Sequence, residues 1–386
     1  MAGYIENRGE NKWRLVVSCG TDAAGKRIKK TKTIEAKDKG KAEKQLALFI
    51  AEVESPNYQA PTKLTFEKFC KEHWLKNYAE IELAPKTVVG YKESLKRIYQ
   101  AIGHIKLDKI RPTHLVEFYA NLREDGVRKD KKAGGLSELT ILQYHRLIFN
   151  IFNTAVRWQI IASNPAQRVN APKVPKKHMK IYDEETIRRL LDALEKARIK
   201  HRAIVVLALG TGLRLGEIMG LEWSDVNLEN STLRVRQASQ YLPDKGLFLK
   251  TPKNETSKRE IDLPNTLVEL LKEYKAHQEE QRLNLGDKWT ESNRVFTGNF
   301  GKPLNPGTAS QWFRDFLGKN NLPHMPFHGL RHTSATVLVE KGLPSTNISA
   351  RLGHSETTTT MRIYAHAMKK TDKIAAQKLD EVLSKK

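Results

Sequence analysis

The chain has 386 residues, which at about 150 residues per domain leaves room for two or three domains with real hydrophobic cores and excludes a single small module. Lys and Arg number 67 against 44 Asp and Glu, and the excess is spread as +4 over residues 1–60, +8 over 61–172 and +11 over 173–386. Basicity distributed in this way predicts a long polyanionic partner, nucleic acid and not a membrane. Cys19 and Cys70 stand far apart, outside any CxxC or Cys/His cluster, so neither a disulfide framework nor a structural zinc site is expected and the compartment is a reducing one. The polar start and the absence of any apolar run near the ~18 residues of a membrane span give the expectation of a cytoplasmic protein, in a bacterial cytosol and on DNA.

Residues 3–6, 13–18 and 27–34 read as short strands separated by turn-rich segments, and 38–55 as a helix with Ala42, Leu46, Phe49, Ile50 and Val53 on one side, able to cover one face of a three-stranded sheet. The third strand carries Arg27, Lys29, Lys30 and Lys32. These are candidate DNA contacts, because a sheet can enter a major groove, although an ordinary solvated strand has the same pattern. A Pro-containing polar stretch reaches Thr62. Helical patterns follow from Phe66 and at 86–100, 112–124 and 138–159, the last with Leu147, Ile148, Ile151 and Phe152 at core-facing spacing, and the charged, Gly-rich 125–135 reads as a loop among them. Prolines at 165, 172 and 175 then break helix, and Lys173, Lys176 and Lys177 make a basic extended linker that is a further candidate DNA contact. Beyond it, helices at 184–197 and 264–284 alternate with strands near 233–236, 247–250 and 259–263, an α+β pattern. Three domains are therefore expected: 1–60, 61–172 and 173–386.

The informative motifs lie in the last of these. In Thr211-Gly212-Leu213-Arg214-Leu215-Gly216-Glu217 a Gly break precedes a short helix, and alone Arg214 reads equally as a surface residue or a partner for Glu217. His328-Gly329-Leu330-Arg331 puts a His and an Arg on one face of a helix that begins near Phe327. Leu352-Gly353-His354 follows, and ten residues later Tyr364 stands in Arg362-Ile363-Tyr364-Ala365-His366. Any one of these would more often be a packed residue than a reactive one.

Taken in order, Arg214, His328-x-x-Arg331, Leu352-Gly353-His354 and Tyr364 resemble the tyrosine recombinases, the integrases of temperate phages and conjugative transposons, most strongly over 173–370. The resemblance implies a sheet-plus-helix N-terminal domain that binds arm-type sites (1–60), an all-α core-binding domain (61–172) and an α+β catalytic domain of tyrosine recombinase type with a C-terminal helix (173–386). It makes Tyr364 the nucleophile, Arg214 and Arg331 the phosphate clamps, and His328 and His354 their hydrogen-bonding support, with Glu217 bracing Arg214. It also calls for a Lys on a β-hairpin, for which Lys253 in Lys250-Thr251-Pro252-Lys253-Asn254 fits best, with Lys250 and Lys258 as neighbours. The ten-residue step from His354 to Tyr364 departs from the common nine, and an extra residue within 357–360 would absorb it.

The chemistry accounts for these residue types. Attack on a phosphodiester gathers negative charge on the non-bridging oxygens, and two guanidinium forks can hold them without a metal. A Tyr hydroxyl, with a reference pKa of about 10, needs a base or a cationic pocket, for which His328 is the candidate, and the departing 5′-oxygen needs an acid, for which Lys253 is. No cofactor, metal or ATP is expected. The implied partners are double-stranded DNA at core- and arm-type attachment sites, further copies of the chain in a tetramer on DNA, and accessory DNA-bending or excision factors. An apolar stripe, Ile374, Ala375, Leu379, Val382 and Leu383, on a helix over about 371–385 fits packing on its own catalytic domain, whereas the resemblance implies that it docks on a neighbouring protomer. The alternatives are a type IB-like topoisomerase and a non-catalytic basic DNA-binding regulator.

Overall fold

The computed structural model describes residues 2–21, 25–54, 62–175, 181–250, 258–353, 380 and 383–384. The chain divides into two compact units, Met1–Lys176 and Lys177–Lys386.

The first unit opens with β1 (Gly3–Asn7), β2 (Lys12–Thr21) and β3 (Arg27–Glu35), an antiparallel sheet in the order β1-β2-β3. β2 runs longer than its apolar pattern indicates because pairing resumes at Thr21 after a register shift between Ser18 and Thr21. α1 (Lys39–Glu54) buries Ala42, Phe49 and Val53, and Phe49 and Val53 pack with Leu15 and Val17 of β2 in a small core of their own. A second, larger core belongs to the helices that follow. α2 (Phe66–Phe69) is capped by the Thr65 hydroxyl, which accepts from the Lys68 amide, and continues through a π-helical run, Cys70–Ala79, into α3 (Glu80–Glu82). α4 (Pro85–Ile98) and α5 (Pro112–Asn121) each begin with Pro, whose missing N–H is one that the first helical turn leaves unpaired anyway. α4 too runs on into a π-helical stretch, Tyr99–Gly103, and α6 (Glu138–Arg157) is capped by Ser137. Phe66, Phe69, Trp74, Leu95, Ile98 and Phe152 meet in this core.

The second unit contains α7 (Glu184–Glu195), α8 (Ile199–Thr211) and α9 (Leu215–Gly220), then β4 (Val226–Asn227), β5 (Thr232–Val235), β6 (Ala238–Leu242), β7 (Gly246–Lys250) and β8 (Arg259–Asp262). β4, β5 and β8 form an antiparallel sheet in the order β4-β5-β8, while β6 and β7 pair as a two-stranded ribbon. α10 (Asn265–Leu285), α11 (Pro306–Lys319), α12 (His328–Glu340) and α13 (Ser345–Leu352) complete it. α8 is apolar nearly all round, with Ala203, Ile204, Val205, Leu207 and Ala208 buried, so it lies inside the core and not on its edge. Leu190, Ile218, Leu271, Phe313 and Leu330 belong to the same core, and Ala335, Val339, Ile348 and Leu352 join α12 to α13 in a smaller one. No described helix is long and apolar enough to cross a membrane.

Candidate active site

The site is built on the break between α8 and α9. α8 ends at Gly212, which adopts the left-handed conformation (φ 67°), and a Cβ there would come within 2.5 Å of Leu352 Cδ2, so both backbone and space call for glycine. Two residues later Arg214 caps α9. Glu217 reaches back to it, with Oε2 accepting from the Arg214 backbone amide at 3.0 Å and Oε1 from Arg214 Nη1 at 2.8 Å. One carboxylate thus fixes both the start of the helix and the direction of the guanidinium. A second cation meets it from the first residue of β8, where Arg259 Nη2 lies 3.0 Å from Glu217 Oε2. The Arg259 and Glu217 side chains are 7% and 8% exposed, whereas that of Arg214 is 41% exposed. Burial pushes the Glu217 carboxyl up, but the charge and hydrogen bond of Arg259, followed by those of Arg214, outweigh it and bring it below the ordinary Glu value. Glu217 is therefore a carboxylate at neutral pH.

α12 supplies the other half. Its first residue is His328, and Arg331, three residues on and 2% exposed, donates from Nη1 to the Gly212 carbonyl and from Nη2 to the Leu352 carbonyl, both at 2.8 Å. A guanidinium at this depth is tolerable because fixed carbonyls receive two of its N–H donors, and the same bonds tie α12 to the α8–α9 break and to the end of α13. The His328 imidazole is pushed below the ordinary histidine value, first by burial and then by Arg331 and Arg214, against the opposing pull of Glu217. It is neutral at pH 7 and able to accept a proton. Its ring meets that of His332 edge-on, with centroids 4.7 Å apart.

Arg214, Glu217, His328 and Arg331 are thus brought together around the Gly212 turn. Lys253, His354 and Tyr364 lie outside the described residues, as do Lys176, Lys177 and, apart from 380, 383 and 384, the segment 371–385. The described chain stops on either side of Lys253 at Lys250 and Lys258, and Gly353 directly precedes His354.

The basic residues of β3 do not form one patch. Alternation sends Arg27 and Lys29 to one face and Lys30 and Lys32 to the other. Lys29 Nζ donates to the Tyr4 hydroxyl at 3.3 Å and sits over the Tyr4 ring, while Lys32 Nζ pairs with Glu52 Oε2 of α1 at 2.9 Å and lies over Phe49, on the helix-covered face. Lys173 is exposed near the end of the first unit. Sequence reasoning missed Arg259, because an Arg opening a strand after a basic hairpin cannot be told from a solvated strand charge. It also missed Arg351, whose Nη2 donates to the carbonyls of Gly210 and Asp262 at 2.9 and 3.0 Å and so fastens the end of α13 to α8 and β8.

Residues 180–371 match the profile of the phage integrase family, and residues 65–123 match that of the phage integrase N-terminal SAM-like domain. The chain belongs to the phage integrase family of tyrosine recombinases. Among the relatives of this recombinase is a tyrosine recombinase XerC-like protein of Caldanaerobacter subterraneus, 28% identical over 98% of both chains. Another is the ICEBs1 integrase of Bacillus subtilis, 27% identical over 66% of this chain and 69% of that one. The recombinase shares its fold with the Tn1549 transposon integrase, solved with a circular intermediate DNA (TM-score 0.66, 21% identity, 82% of this chain and 99% of that one). It shares it also with lambda integrase, solved as a tetramer on a Holliday junction (TM-score 0.57, 17% identity, 93% of this chain and 94% of that one). The protein is accordingly a site-specific DNA recombinase, and neither the topoisomerase nor the regulator reading gains support beside it.

Proposed function

We propose that this recombinase integrates and excises a mobile element or prophage by cutting and rejoining attachment-site DNA through Tyr364. The observation that carries the reading is the convergence of Arg214, His328 and Arg331 at the α8–α9 break, with Arg214 held by the buried Glu217 carboxylate, Arg331 by two backbone carbonyls, and His328 packed edge-on against His332. A scissile phosphate seated there would place its non-bridging oxygens against two guanidinium groups as charge builds on them, which is where electrostatic stabilisation counts most. In this scheme the Tyr364 oxygen attacks phosphorus while neutral His328 takes the phenolic proton, with His354 beside it as a hydrogen-bonding support. The bond to the 5′-oxygen breaks, Lys253 protonates that oxygen, and a 3′-phosphotyrosyl link remains. The 5′-hydroxyl of a second strand reverses these steps on the new partner, and no ATP is consumed because the link keeps the energy of the phosphodiester.

The proposal includes core- and arm-type sites read by the helical domain (61–172) and the sheet domain (1–60), a catalytic domain over 173–386, assembly of four protomers on two DNA segments, accessory DNA-bending or excision factors, and residence on DNA in the cytoplasm. The separate cores of sheet, helices and second unit support that division. The deciding experiment incubates the protein with labelled attachment-site duplexes and resolves the products on a denaturing gel. Protein-linked DNA and joined strands are expected from the wild type, and binding without adducts from Tyr364→Phe. Adducts at normal yield from Tyr364→Phe would move the nucleophile elsewhere, and relaxation of supercoiled DNA without joined strands would replace recombination by topoisomerase action.

A further inference from the structure

Arg259 joins the carboxylate that holds Arg214 to the end of α13. Nη2 donates to Glu217 Oε2 at 3.0 Å, and Nε donates to the Arg351 carbonyl at 2.7 Å. The Gly353 turn (φ +66°) is packed on the same guanidinium so closely that a Cβ at Gly353 would lie 2.7 Å from Arg259 Nη1 and 3.0 Å from Cζ. One buried cation therefore abuts three things: the carboxylate that holds Arg214, the end of α13 whose Leu352 carbonyl anchors Arg331, and the glycine that precedes His354. It is also the first residue of β8, the strand that leaves the segment carrying Lys253.

The occupancy of Glu217 gives this contact a consequence. Oε2 accepts from both the Arg214 backbone amide and Arg259, which leaves Oε1 for the Arg214 side chain. With Oε2 taken, Arg214 cannot swing into the two-pronged pair that an arginine and a carboxylate favour. Its guanidinium keeps one prong on Glu217 and stays 41% exposed at the side-chain level. Without Arg259, Glu217 would retain Arg214 as its ion-pair partner and draw it inward, and the Leu352–Gly353 turn would lose its seat.

We propose that Arg259 is a positioning residue for strand cleavage: by filling one oxygen of Glu217 and seating the Leu352–Gly353 turn, it keeps the Arg214 guanidinium turned toward the phosphate and in register with Arg331. This rests on the reading of Arg214 and Arg331 as phosphate clamps. Lys at this position keeps the charge but has one nitrogen, which cannot span Glu217 and the Arg351 carbonyl in the fork geometry.

The test uses the full chain and two attachment-site duplexes, one ordinary and one with a methylphosphonate at the scissile position. The methyl group replaces a charged non-bridging oxygen and so lowers the demand on a guanidinium clamp. Arg259→Lys is expected to bind both duplexes within about twofold of wild type, to form adduct on the order of 10–100-fold more slowly on the phosphodiester, and to recover most of that loss, relative to wild type, on the methylphosphonate. Arg214→Ala is the reference and should show a deeper defect with the same recovery. If Arg214→Ala recovers while Arg259→Lys is equally slow on both duplexes, or is as fast as wild type on the phosphodiester, the positioning role is overturned. If Arg214→Ala itself gains nothing from the methylphosphonate, the clamp reading fails and takes the proposal with it. Should Arg259→Lys fold poorly, the double variant Glu217→Gln with Arg259→Gln removes both buried charges together and is held to the same comparison.

Discussion

Replacing Gly212 by Ala tests the centre of the site with a single methyl group. The backbone at Gly212 has φ +67°, and holding a residue with a Cβ there costs about 1–2 kcal/mol. The new Cβ also lands 2.5 Å from Leu352 Cδ2, and forcing a methyl into a packed interior costs about 1–3 kcal/mol more. A loss of about 2–5 kcal/mol is a large share of the 5–15 kcal/mol that typically holds a domain together. The displacement also falls on function, because Gly212 and Leu352 supply the two carbonyls that receive Arg331, so both its anchors move at once. Hydrogen exchange of α8 and α9 amides in the full chain should show faster opening, and adduct formation should slow even at temperatures where the variant remains folded. Combining Gly212→Ala with Leu352→Ala should cost less than the sum of the two, since the truncated side chain no longer meets the new methyl. Stability within about 0.5 kcal/mol of wild type and unchanged adduct kinetics for Gly212→Ala would refute both the backbone and the packing parts of this reasoning.

Three further outcomes follow from the same contacts. Glu217→Gln leaves buried Arg259 without its counter-ion and should cost about 3–5 kcal/mol at neutral pH by urea unfolding. The Glu217 carboxyl is lowered in the folded state, so its stabilisation is present above the unfolded carboxyl value and is lost as pH falls through the folded one; the gap between wild type and variant should narrow in acid, and widening there would contradict the assignment. Because burial and the two arginines lower the His328 imidazole, adduct formation should decline only as pH falls below the ordinary histidine range near 6.5, and His328→Asn should be slower with that acid limb missing. On β3, Lys29→Ala should make the salt dependence of DNA binding shallower by about one unit of slope if Lys29 meets a phosphate, whereas Lys32→Ala, already paired with Glu52, should leave the slope unchanged in the same titration.

The sheet, α1 and the helices α4 to α7 and α10 were legible because their apolar residues repeat with periods of about two or 3.6. α8 was not, since a helix buried on all sides has no stripe to reveal it. The π-helical runs after Phe69 and Ile98 escaped as well, because the apolar residues still fall inward and the wider turn changes only the hydrogen-bond pattern. In the site, spacing alone put His328 and Arg331 on one helix, but the depth of Arg331 depends on carbonyls 119 and 21 residues away, which no local pattern encodes. The split of the β3 lysines follows from strand alternation only once the face covered by α1 is known, and the pairing of Lys32 with Glu52 supplies that.

The turn at Gly212 has one more implication. The Gly212 carbonyl, one of the two that anchor Arg331, and Arg214 are two positions apart in the chain, so a displacement of that turn acts on both cations. The spacing between the two charges is set by that turn together with the second anchor of Arg331, the Leu352 carbonyl at the end of α13. Surfaces that choose the DNA sequence can accordingly be redesigned without retuning the separation of the guanidinium groups only where residues 211–217, Arg259, Arg331 and the Leu352 carbonyl are kept together as one unit.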